Sequence, residues 1–394
     1  MISKFLNLLK TTLVSSLTPT RIDYSKWVFS SSFNTKFNYN SKPLFEYVLQ
    51  NEPDITPLYV INDAKLRRKL EKRYGKKYFT ETNSIKGISE VLNAGVWFTS
   101  AGLPVYGYGL SNKRLIVNLW HGVPLKRIAL MENNVSWLTR LYFKHIFSNN
   151  YTHILTTSKF LVPIMKESFG VTEDKIKVWG QPRNDALFRE IDPKTIFESI
   201  FGDLPPFKKA ILYAPTFRDK GRTKFFPFVD FSSNALQEFL ERNGLIVFVR
   251  CHQSEAQRVD TNYGNRVRLI NSDKVEEITD ILNAFDLLIT DYSSIYIDYL
   301  LTSKPVMFLP YDIDEYSKGR GFNFDYDAVT PGPKPSTFSQ FQSEIMKLLY
   351  NPDYYAEERQ NVNFFFNDVR RPCAREICSK IKKEIEIIQE TIRQ

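Results

Sequence analysis

The sequence has few of the residues that metal centres and disulfide frameworks require. Its 394 residues include only three cysteines and four histidines. The number of cysteines is odd and no two of them form a CxxC pair, which argues against a disulfide framework or a structural zinc site; they are Cys251, Cys373 and Cys378. So few cysteines are typical of a reducing, cytoplasmic location.

Two common nucleotide-binding motifs are also missing. No GxxxxGK[ST] segment occurs, which excludes a P-loop enzyme. No GxGxxG follows the first strand pattern, which argues against dinucleotide binding. Residues 1–20 are too short and too polar to span a bilayer, and they lack the cleavage site of a signal peptide.

The composition is that of a globular protein with a basic surface. Hydrophobic residues make up 43% and charged residues 25%, and the length suits two domains. The net charge of +9 favours anionic partners. Within residues 1–20 the apolar side chains recur at helical spacing, which predicts a helix lying on an anionic membrane surface. A helix packed on the protein's own surface is the alternative; the apolar positions are Ile2, Phe5, Leu6, Leu9 and Leu13.

Short apolar runs alternate with helical patterns from residue 25 to about residue 350. This βαβ rhythm predicts an α/β protein with parallel sheets. Gly202, Pro205 and Pro206 predict a linker between two Rossmann-like domains, over residues 21–202 and 203–352. We expect the helices of residues 353–394 to cross back to the first domain. Ligands of such domains bind in a cleft at the carboxyl ends of the strands.

One histidine directly follows a buried-strand pattern. The run Leu115–Leu119 is apolar, and Trp120 and His121 come next. A side chain there would lie in the ligand cleft, and an imidazole with an ordinary pKa near 6.5 suits a general base. A structural histidine that caps the turn is the alternative. Pro124 is expected to open a helix, and Lys126 is either a phosphate ligand or a solvated charge.

A second polar set follows the strand pattern Leu287–Thr290. Asp291, Ser293 and Ser294 form the predicted turn into the next helix. Hydroxyl groups and free backbone N–H groups at a helix start bind anions, although capping of the helix would use the same residues. Asp298, one turn further on, is a candidate ligand of a ribose hydroxyl.

Other polar side chains follow the remaining strand patterns. The candidate phosphate or acceptor ligands on these predicted loops are Thr216, Arg218, Arg250, His252, Arg183, Asp185 and Arg320. His145 and His153 are predicted to be structural. Asp312 and Asp314 resemble a metal-binding DxD pair, but no supporting ligand lies near them in the sequence, so we expect no metal site.

Taken together, these segments resemble the CDP-glycerol glycerophosphotransferase family, which comprises teichoic acid primases, polymerases and related capsule enzymes. The resemblance covers about residues 30–327. Cys251 and Gln253 flank His252 where the family pattern has proline and other residues. The matching motifs, in order, are Trp120-His121-Gly122, Gly180–Asp185, Ala214–Arg218, Arg250-Cys251-His252, Thr290–Ser294, Lys304-Pro305-Val306, Asp314-Glu315-Tyr316 and Arg320-Gly321-Phe322.

The resemblance implies a GT-B-like fold with the nucleotide on the second domain and the acceptor mainly on the first. It implies that His121 is the general base. The donor ligands that it implies are His252, Thr216, Arg218, Asp291, Ser293 and Ser294. No cofactor is expected beside the substrate CDP-glycerol. Because acceptors of this family sit on a lipid carrier, we expect a peripheral protein on the cytoplasmic face of the bacterial cell membrane.

The reaction expected from this resemblance is the transfer of glycerol phosphate from CDP-glycerol to a hydroxyl of a lipid-linked glycan, capsule or teichoic-acid-type acceptor, with release of CMP. The alternatives are a GT-B glycosyltransferase that uses a nucleotide-sugar, a CDP-ribitol-dependent ribitol phosphate transferase, and a non-enzymatic module for an anionic polymer. We recognise no clustered basic run with interleaved aromatic residues, so a nucleic-acid partner is not expected.

Overall fold

The computed structural model describes residues 10–14, 21–218, 222–251 and 263–394. They form two compact units, each built on a parallel sheet, which confirms the predicted α/β fold. Unit 1 comprises Met1–Gly122, Ile128–Asp185 and Arg371–Gln394. Unit 2 comprises Val123–Arg127 and Ala186–Arg370.

The division between the units differs from the predicted linker. The chain passes from unit 1 to unit 2 after Asp185, so the segment before Gly202 already belongs to unit 2. At the other end, only Arg371–Gln394 returns to unit 1, whereas residues 353–370 remain in unit 2. Gly202 instead follows a helix as its C-cap with φ +72°, a conformation that glycine adopts without strain.

Unit 1 contains a seven-stranded sheet in the order β3-β2-β1-β4-β5-β6-β7, and all its neighbours pair in parallel. The order of the strands reverses between β1 and β4, and ligands of open α/β sheets bind at such a point. The strands are β1 Asp23–Ser30, β2 Thr56–Val60, β3 Phe79–Thr80, β4 Ala94–Thr99, β5 Leu115–Asn118, β6 His153–Thr156 and β7 Ile176–Val178.

The helices of unit 1 connect these strands. Helix α4 (Trp137–Tyr142) continues through a π-helical turn at Phe143–Phe147 and a last turn at Ser148–Asn150. The C-terminal helix α13 (Ala374–Arg393) is docked by ion pairs from Lys382 to Glu52 and Asp54 and by a hydrogen bond between His153 and Glu384. The helices are α1 Ser41–Asn51, α2 Ala64–Tyr74, α3 Ile85–Leu92, α4 Trp137–Tyr142, α5 Val162–Phe169 and α13 Ala374–Arg393.

Unit 2 contains a five-stranded parallel sheet in the order β10-β9-β8-β11-β12, so its strand order reverses between β8 and β11. The strands are β8 Lys209–Tyr213, β9 Leu245–Val249, β10 Val267–Leu269, β11 Leu287–Thr290 and β12 Val306–Phe308. The helices are α6 Pro193–Phe201, α7 Ser233–Asn243, α8 Ile295–Tyr299, α9 Ile313–Arg320, α10 Tyr326–Val329, α11 Phe338–Tyr350 and α12 Ala356–Phe366.

Each sheet is buried on both faces, as the continuous apolar runs in its strands require. In unit 1, Trp27, Phe29, Trp97 and Phe98 are fully buried, and the rings of Phe29 and Phe98 stack with their centroids 5.2 Å apart. Such cores hold the strand ends, and thus the side chains that follow them, in fixed positions.

Three local predictions were wrong. Pro124 opens no helix, because residues 123–127 join unit 2, where Asn323 donates hydrogen bonds to the carbonyls of Pro124 and Lys126. Arg320 was predicted to lie on a loop, but it is the last residue of α9, whose N-cap is Asp312. The sequence pattern of Val275–Asn283 predicts a helix, but the segment forms 3₁₀ turns at Ile278–Ala284.

The amino-terminal helix was predicted over residues 1–20, of which the structure describes only residues 10–14. They are helical. Thr11 and Val14 are buried, whereas Leu13 is 59% exposed. The ammonium group of Lys10 donates to the carbonyl of Asn83. Across the described part of the chain, every helix is too short or too polar to cross a bilayer.

Candidate active site

In unit 1, His121 lies beyond the carboxyl end of β5, as predicted from the apolar run before it. The loops after β1 and β4, at the reversal of strand order, supply its neighbours. The ring of Tyr39 stacks on the imidazole at a centroid distance of 5.1 Å, and that of Trp120 lies at 4.1 Å. Tyr39 and Trp120 both have positive φ values, +56° and +55°. Non-glycine residues rarely adopt this conformation, which is concentrated at functional sites.

The hydrogen bond of His121 defines which ring nitrogen is available for chemistry. Nδ1 lies 3.0 Å from the carbonyl oxygen of Ser100, which can only accept, so Nδ1 carries the hydrogen in the neutral ring. Nε2 is then the basic nitrogen. Burial lowers the pKa of His121 below its ordinary value, the hydrogen bond to Ser100 opposes this shift, and the nearby charge of Arg183 adds to it. The imidazole is therefore neutral at neutral pH, as a general base must be.

Asn40 holds the turn that carries His121, and the sequence analysis did not identify it. Its side chain is fully buried. The amide nitrogen donates to the carbonyls of Leu119, at 3.1 Å, and Trp120, at 2.8 Å, while the amide oxygen accepts from the backbone N–H of Arg183, at 3.1 Å. One side chain thus joins the loops after β1, β5 and β7. The Arg183 guanidinium donates to the carbonyl of His121 at 2.5 Å and fixes the same turn.

The carbonyl that orients His121 is itself held in place. The backbone N–H of Ser100 donates to the Ser30 carbonyl at 3.1 Å. The Ser100 hydroxyl accepts from the backbone N–H of Ser41 at 2.9 Å and lies 2.8 Å from the Ser41 hydroxyl. Because Ser41 begins α1, the orientation of the imidazole depends on the ends of β1 and β4 and on the start of that helix.

Replacing Asn40 with alanine is expected to remove this support. Two carbonyls and one N–H would lose buried partners, so the free energy of unfolding should fall by about 2–4 kcal/mol. Turnover of the folded variant should fall more than its affinity for the donor, because a misaligned base affects the reaction rather than binding. Urea unfolding and steady-state kinetics would measure both. Asn40 would have no positioning role if turnover, corrected for the folded fraction, were unchanged.

In unit 2, hydroxyl groups gather at the reversal of strand order between β8 and β11. Thr216 follows β8, and its backbone N–H donates to Asp291, which follows β11, at 2.8 Å. The Thr216 hydroxyl is buried and has no hydrogen-bond partner among the described residues. Because a buried hydroxyl without a partner is costly, its retention is typical of a ligand-binding group. Ser293 and Ser294 are partly exposed beside it on the β11 loop.

The helix that follows these serines is shorter than predicted. Helix α8 has five residues and continues as a 3₁₀ turn at Leu300–Thr302. Ser294 makes no capping hydrogen bond with its side chain, and Ser293 accepts only a long one, 3.4 Å, from Ile295. Capping therefore engages these hydroxyls only weakly and leaves them able to meet a ligand.

Arg218, predicted to bind phosphate, is instead surrounded by protein carboxylates. It is 6% exposed. Its Nε and Nη2 donate to the two carboxylate oxygens of Asp312 at 2.8 and 2.9 Å, and Nη2 lies 2.9 Å from Asp291 Oδ2. Tyr292 also donates to Asp312, at 2.8 Å. These contacts tie the loops after β8, β11 and β12 together, so Arg218 organises these three loops through its pairing with two carboxylates.

Asp312, which Arg218 and Tyr292 contact, is the first acid of the DxD-like pair. Burial raises the pKa of Asp312, but hydrogen bonds from Arg218 and Tyr292 outweigh it, so that the pKa is below the ordinary value. Both oxygens of this ionised carboxylate already accept hydrogen bonds. No group of three or more histidine, cysteine, aspartate or glutamate side chains in the described ranges is placed to hold a metal ion. Metal independence stays a prediction.

Three other predicted ligands have structural contacts in this fold. The guanidinium of Arg250 donates to the carbonyls of Ile270, Val275 and Glu276. Asp185 caps α13, accepting from the N–H groups of Cys373 and Ala374 at 2.8 and 3.0 Å. Asp298 is 1% exposed, so its carboxylate is enclosed by protein, and its role as a ribose ligand stays a prediction. Short strand-end motifs do not distinguish a ligand contact from such backbone contacts.

The remaining predicted ligands are less constrained. Lys126 contacts the hydroxyl of Tyr316 and lies 4.9 Å from the centre of its ring. Arg320 ends α9, and only its backbone is described. His252 lies outside the described residues. Of the predicted structural histidines, His153 pairs with Glu384 at 2.7 Å, in agreement with that prediction.

A comparison with protein families agrees with this arrangement. The model of the CDP-glycerol:poly(glycerophosphate) glycerophosphotransferases matches residues 12–378. The chain belongs to this family. The resemblance inferred from the motifs is thereby confirmed, and the matched region includes both candidate sites.

Two curated relatives and one solved structure show how the chain compares with other proteins. A teichoic acid poly(glycerol phosphate) polymerase of Bacillus subtilis is 31% identical over 84% of this chain but only 44% of the relative, so the chain spans less than half of it. A teichoic acid glycerol-phosphate transferase of Staphylococcus aureus is 30% identical over 84% of this chain and 86% of its own length. The wall teichoic acid polymerase TagF matches with a TM-score of 0.79 and 23% identity over 99% of both chains, which supports the GT-B-like fold.

Proposed function

We propose that this family member transfers glycerol phosphate from CDP-glycerol to a hydroxyl of a lipid-linked glycan, capsule or teichoic-acid-type acceptor. The observation that carries the proposal is the neutral His121, whose Nδ1 is fixed by Ser100 and whose Nε2 is left basic. The family description and the glycerol-phosphate relatives support CDP-glycerol as donor. Unit 1 would activate the acceptor, and unit 2 would bind the donor.

In the proposed step, Nε2 of His121 takes the proton from the acceptor hydroxyl. The oxygen attacks the β-phosphorus of CDP-glycerol, forming a new phosphodiester. The bond from this phosphorus to the bridging oxygen breaks, and CMP leaves with the electron pair. Hydrogen-bond donors of unit 2, including the hydroxyls of Thr216, Ser293 and Ser294, would stabilise the charge that develops on the phosphates.

One assay separates this proposal from its rivals. The protein is incubated with an acceptor analogue and either CDP-glycerol, CDP-ribitol or nucleotide-sugars, with and without EDTA, and the products are weighed by mass spectrometry. We expect CMP and an acceptor heavier by one or a few glycerol phosphate units, also in EDTA. Turnover of a nucleotide-sugar alone would replace the proposal with a glycosyltransferase, and loss of activity in EDTA that Mg²⁺ restores would show a metal requirement.

Substitutions at the unit 2 hydroxyls should separate ligand binding from folding. Thr216→Val removes a buried hydroxyl that has no partner in the described part of the chain, so the free energy of unfolding should stay equal or rise. Affinity for CDP-glycerol should fall by about tenfold or more. Ser293→Ala combined with Ser294→Ala should weaken donor binding in the same way. Calorimetric titration and urea unfolding test this. If the variants lose stability and the folded protein binds CDP-glycerol normally, these hydroxyls serve only the fold.

We also propose that residues 1–20 attach the protein to anionic membrane. Leu13, on the predicted apolar face, is exposed, in keeping with an insertion of this face into the headgroup region. Lys10 is engaged by Asn83, so its attraction to headgroups is expected to be weaker than the ~1 kcal/mol of a fully free lysine. The other apolar positions of this helix lie outside the described residues.

Leu13→Asp is expected to weaken sedimentation with phosphatidylglycerol vesicles several-fold without destabilising the fold, because the side chain is exposed. Exposed Ile85 of the same unit, replaced with aspartate, provides a matched control. If the two variants bind vesicles equally well, and as well as the unchanged protein, another surface anchors the protein.

A further inference from the structure

Helix α2 carries a continuous stripe of positive charge on its exposed face. Lys65, Arg68, Lys69, Lys72 and Arg73 are all exposed. Their spacing of i, i+3, i+4, i+7 and i+8 places them on one side of the helix. Lys76 and Lys77, also exposed, continue the stripe beyond its end. The expectation of no clustered basic run in the sequence was therefore wrong.

The stripe is unfavourable for the isolated fold. Like charges three and four residues apart repel, and cations near a helix start oppose the helix dipole. The first turn of α2 contains no acid. Glu71, the one acid of the helix, faces Arg67, with 3.7 Å between Oε1 and Nε. None of the five stripe cations forms an ion pair with another residue in the described ranges, although the Arg73 guanidinium lies 4.9 Å from the centre of the Tyr74 ring. An anion bound from solution would therefore reduce the repulsion among these cations.

The stripe begins at the carboxyl ends of the strands of the unit 1 sheet, which is the side on which His121 lies. Asp63, the N-cap of α2, follows β2 and accepts a hydrogen bond from the N–H of Leu66 at 2.8 Å. Because the sheet is parallel, the carboxyl ends of β2 and β5 lie on the same side of it. Helix α2 then runs back along the sheet, so the stripe leads away from the candidate base within unit 1.

The chemistry of the face favours a hydrated polyanion over a lipid surface. Leu70 is buried and Leu66 is half-buried, so the exposed face of α2 offers no large apolar side chain for insertion into a bilayer. A regular row of cations complements a chain with regularly repeated phosphodiesters, whose binding releases counterions.

We propose that α2 binds the phosphodiester chain of a growing glycerol phosphate acceptor and holds it while its terminal hydroxyl lies at His121. This inference rests on the proposed function for the identity of the polymer. It predicts a preference for acceptors that carry several phosphates over acceptors that carry one.

The test compares two triple variants with the same change in net charge. Lys65→Gln, Lys69→Gln and Lys72→Gln remove three stripe cations, and glutamine preserves helix propensity. The control carries Lys113→Gln, Lys166→Gln and Lys383→Gln, three exposed lysines elsewhere in unit 1. The probes are a synthetic glycerol phosphate oligomer and phosphatidylglycerol vesicles, at low salt and without CDP-glycerol. Circular dichroism verifies folding, and single variants replace the triple if it unfolds.

We expect the α2 variant to bind the oligomer about tenfold more weakly than the unchanged protein, and the control to differ by less than about twofold. In transfer assays the KM of the α2 variant should rise more for the oligomer than for an acceptor with one phosphate. Equal weakening in both variants would overturn the proposal, as would loss of vesicle binding with unchanged oligomer affinity. Because binding is measured without donor, a failure of transfer from CDP-glycerol would count against the proposed function only.

Discussion

Replacing His121 with alanine is expected to lower the rate of glycerol phosphate transfer by about 10²- to 10⁴-fold, the usual contribution of a general base. Affinity for CDP-glycerol should be retained, because His121 belongs to unit 1, whereas the hydroxyls that we propose bind the donor belong to unit 2. Single-turnover kinetics and calorimetric titration with CDP-glycerol would measure the two quantities separately.

The pH dependence of the unchanged protein is the matching control. Burial lowers the pKa of His121, so the basic form predominates at neutral pH and persists below the ordinary histidine pKa. Transfer should therefore be nearly constant around pH 7 and fall only on the acid side, below about pH 6.5. The residual rate of the His121→Ala variant should not show this fall at acid pH. If affinity for CDP-glycerol falls as much as the rate does, His121 is a donor ligand instead of a base.

The position of His121 could be predicted because it depends on local pattern alone. An apolar run followed by a polar residue marks a strand end. The patterns Leu115–Leu119 and Leu287–Thr290 agree with β5 and β11 to within one residue. Strand β3 was missed because its two residues, Phe79 and Thr80, are too short a run to show a period. Asn40 was missed for a different reason: its partners are Leu119, Trp120 and Arg183, which only the folded sheet brings to it.

The roles of the basic side chains were the least predictable part of the site. A strand-end arginine has the same appearance in the sequence whether it binds phosphate or protein. Arg218 meets Asp291 and Asp312, which follow it by more than seventy positions, and Arg250 meets backbone carbonyls that no motif indicates. Conversely, the helical period of the exposed α2 cations was evident in the sequence. Only the fold shows that none of these five cations forms an ion pair with another described residue.

Removing the Arg218 side chain is expected to have the largest effect on stability. Arg218→Met leaves Asp291 and Asp312 facing each other without a cation, and breaking a buried ion pair in this way costs about 3–5 kcal/mol. Because the pKa of Asp312 is below its ordinary value, its contribution to stability is complete above about pH 4 and is lost as pH falls through the lowered pKa. The loss should therefore be measured by urea unfolding at neutral pH.

A double-mutant cycle with Asp312→Asn gives the decisive comparison. If Arg218 organises the loops after β8, β11 and β12, the double variant Arg218→Met with Asp312→Asn should be more stable than Arg218→Met alone, because one uncompensated carboxylate is removed. The coupling energy should be about 1–3 kcal/mol. Arg218→Lys, which keeps the charge but cannot contact both oxygens of Asp312 through a planar fork, should lose less stability than Arg218→Met. If Arg218→Met were instead as stable as the unchanged protein and bound CDP-glycerol much more weakly, Arg218 would be the phosphate ligand that the sequence predicted, and the carboxylates around it would be a resting arrangement that the donor displaces.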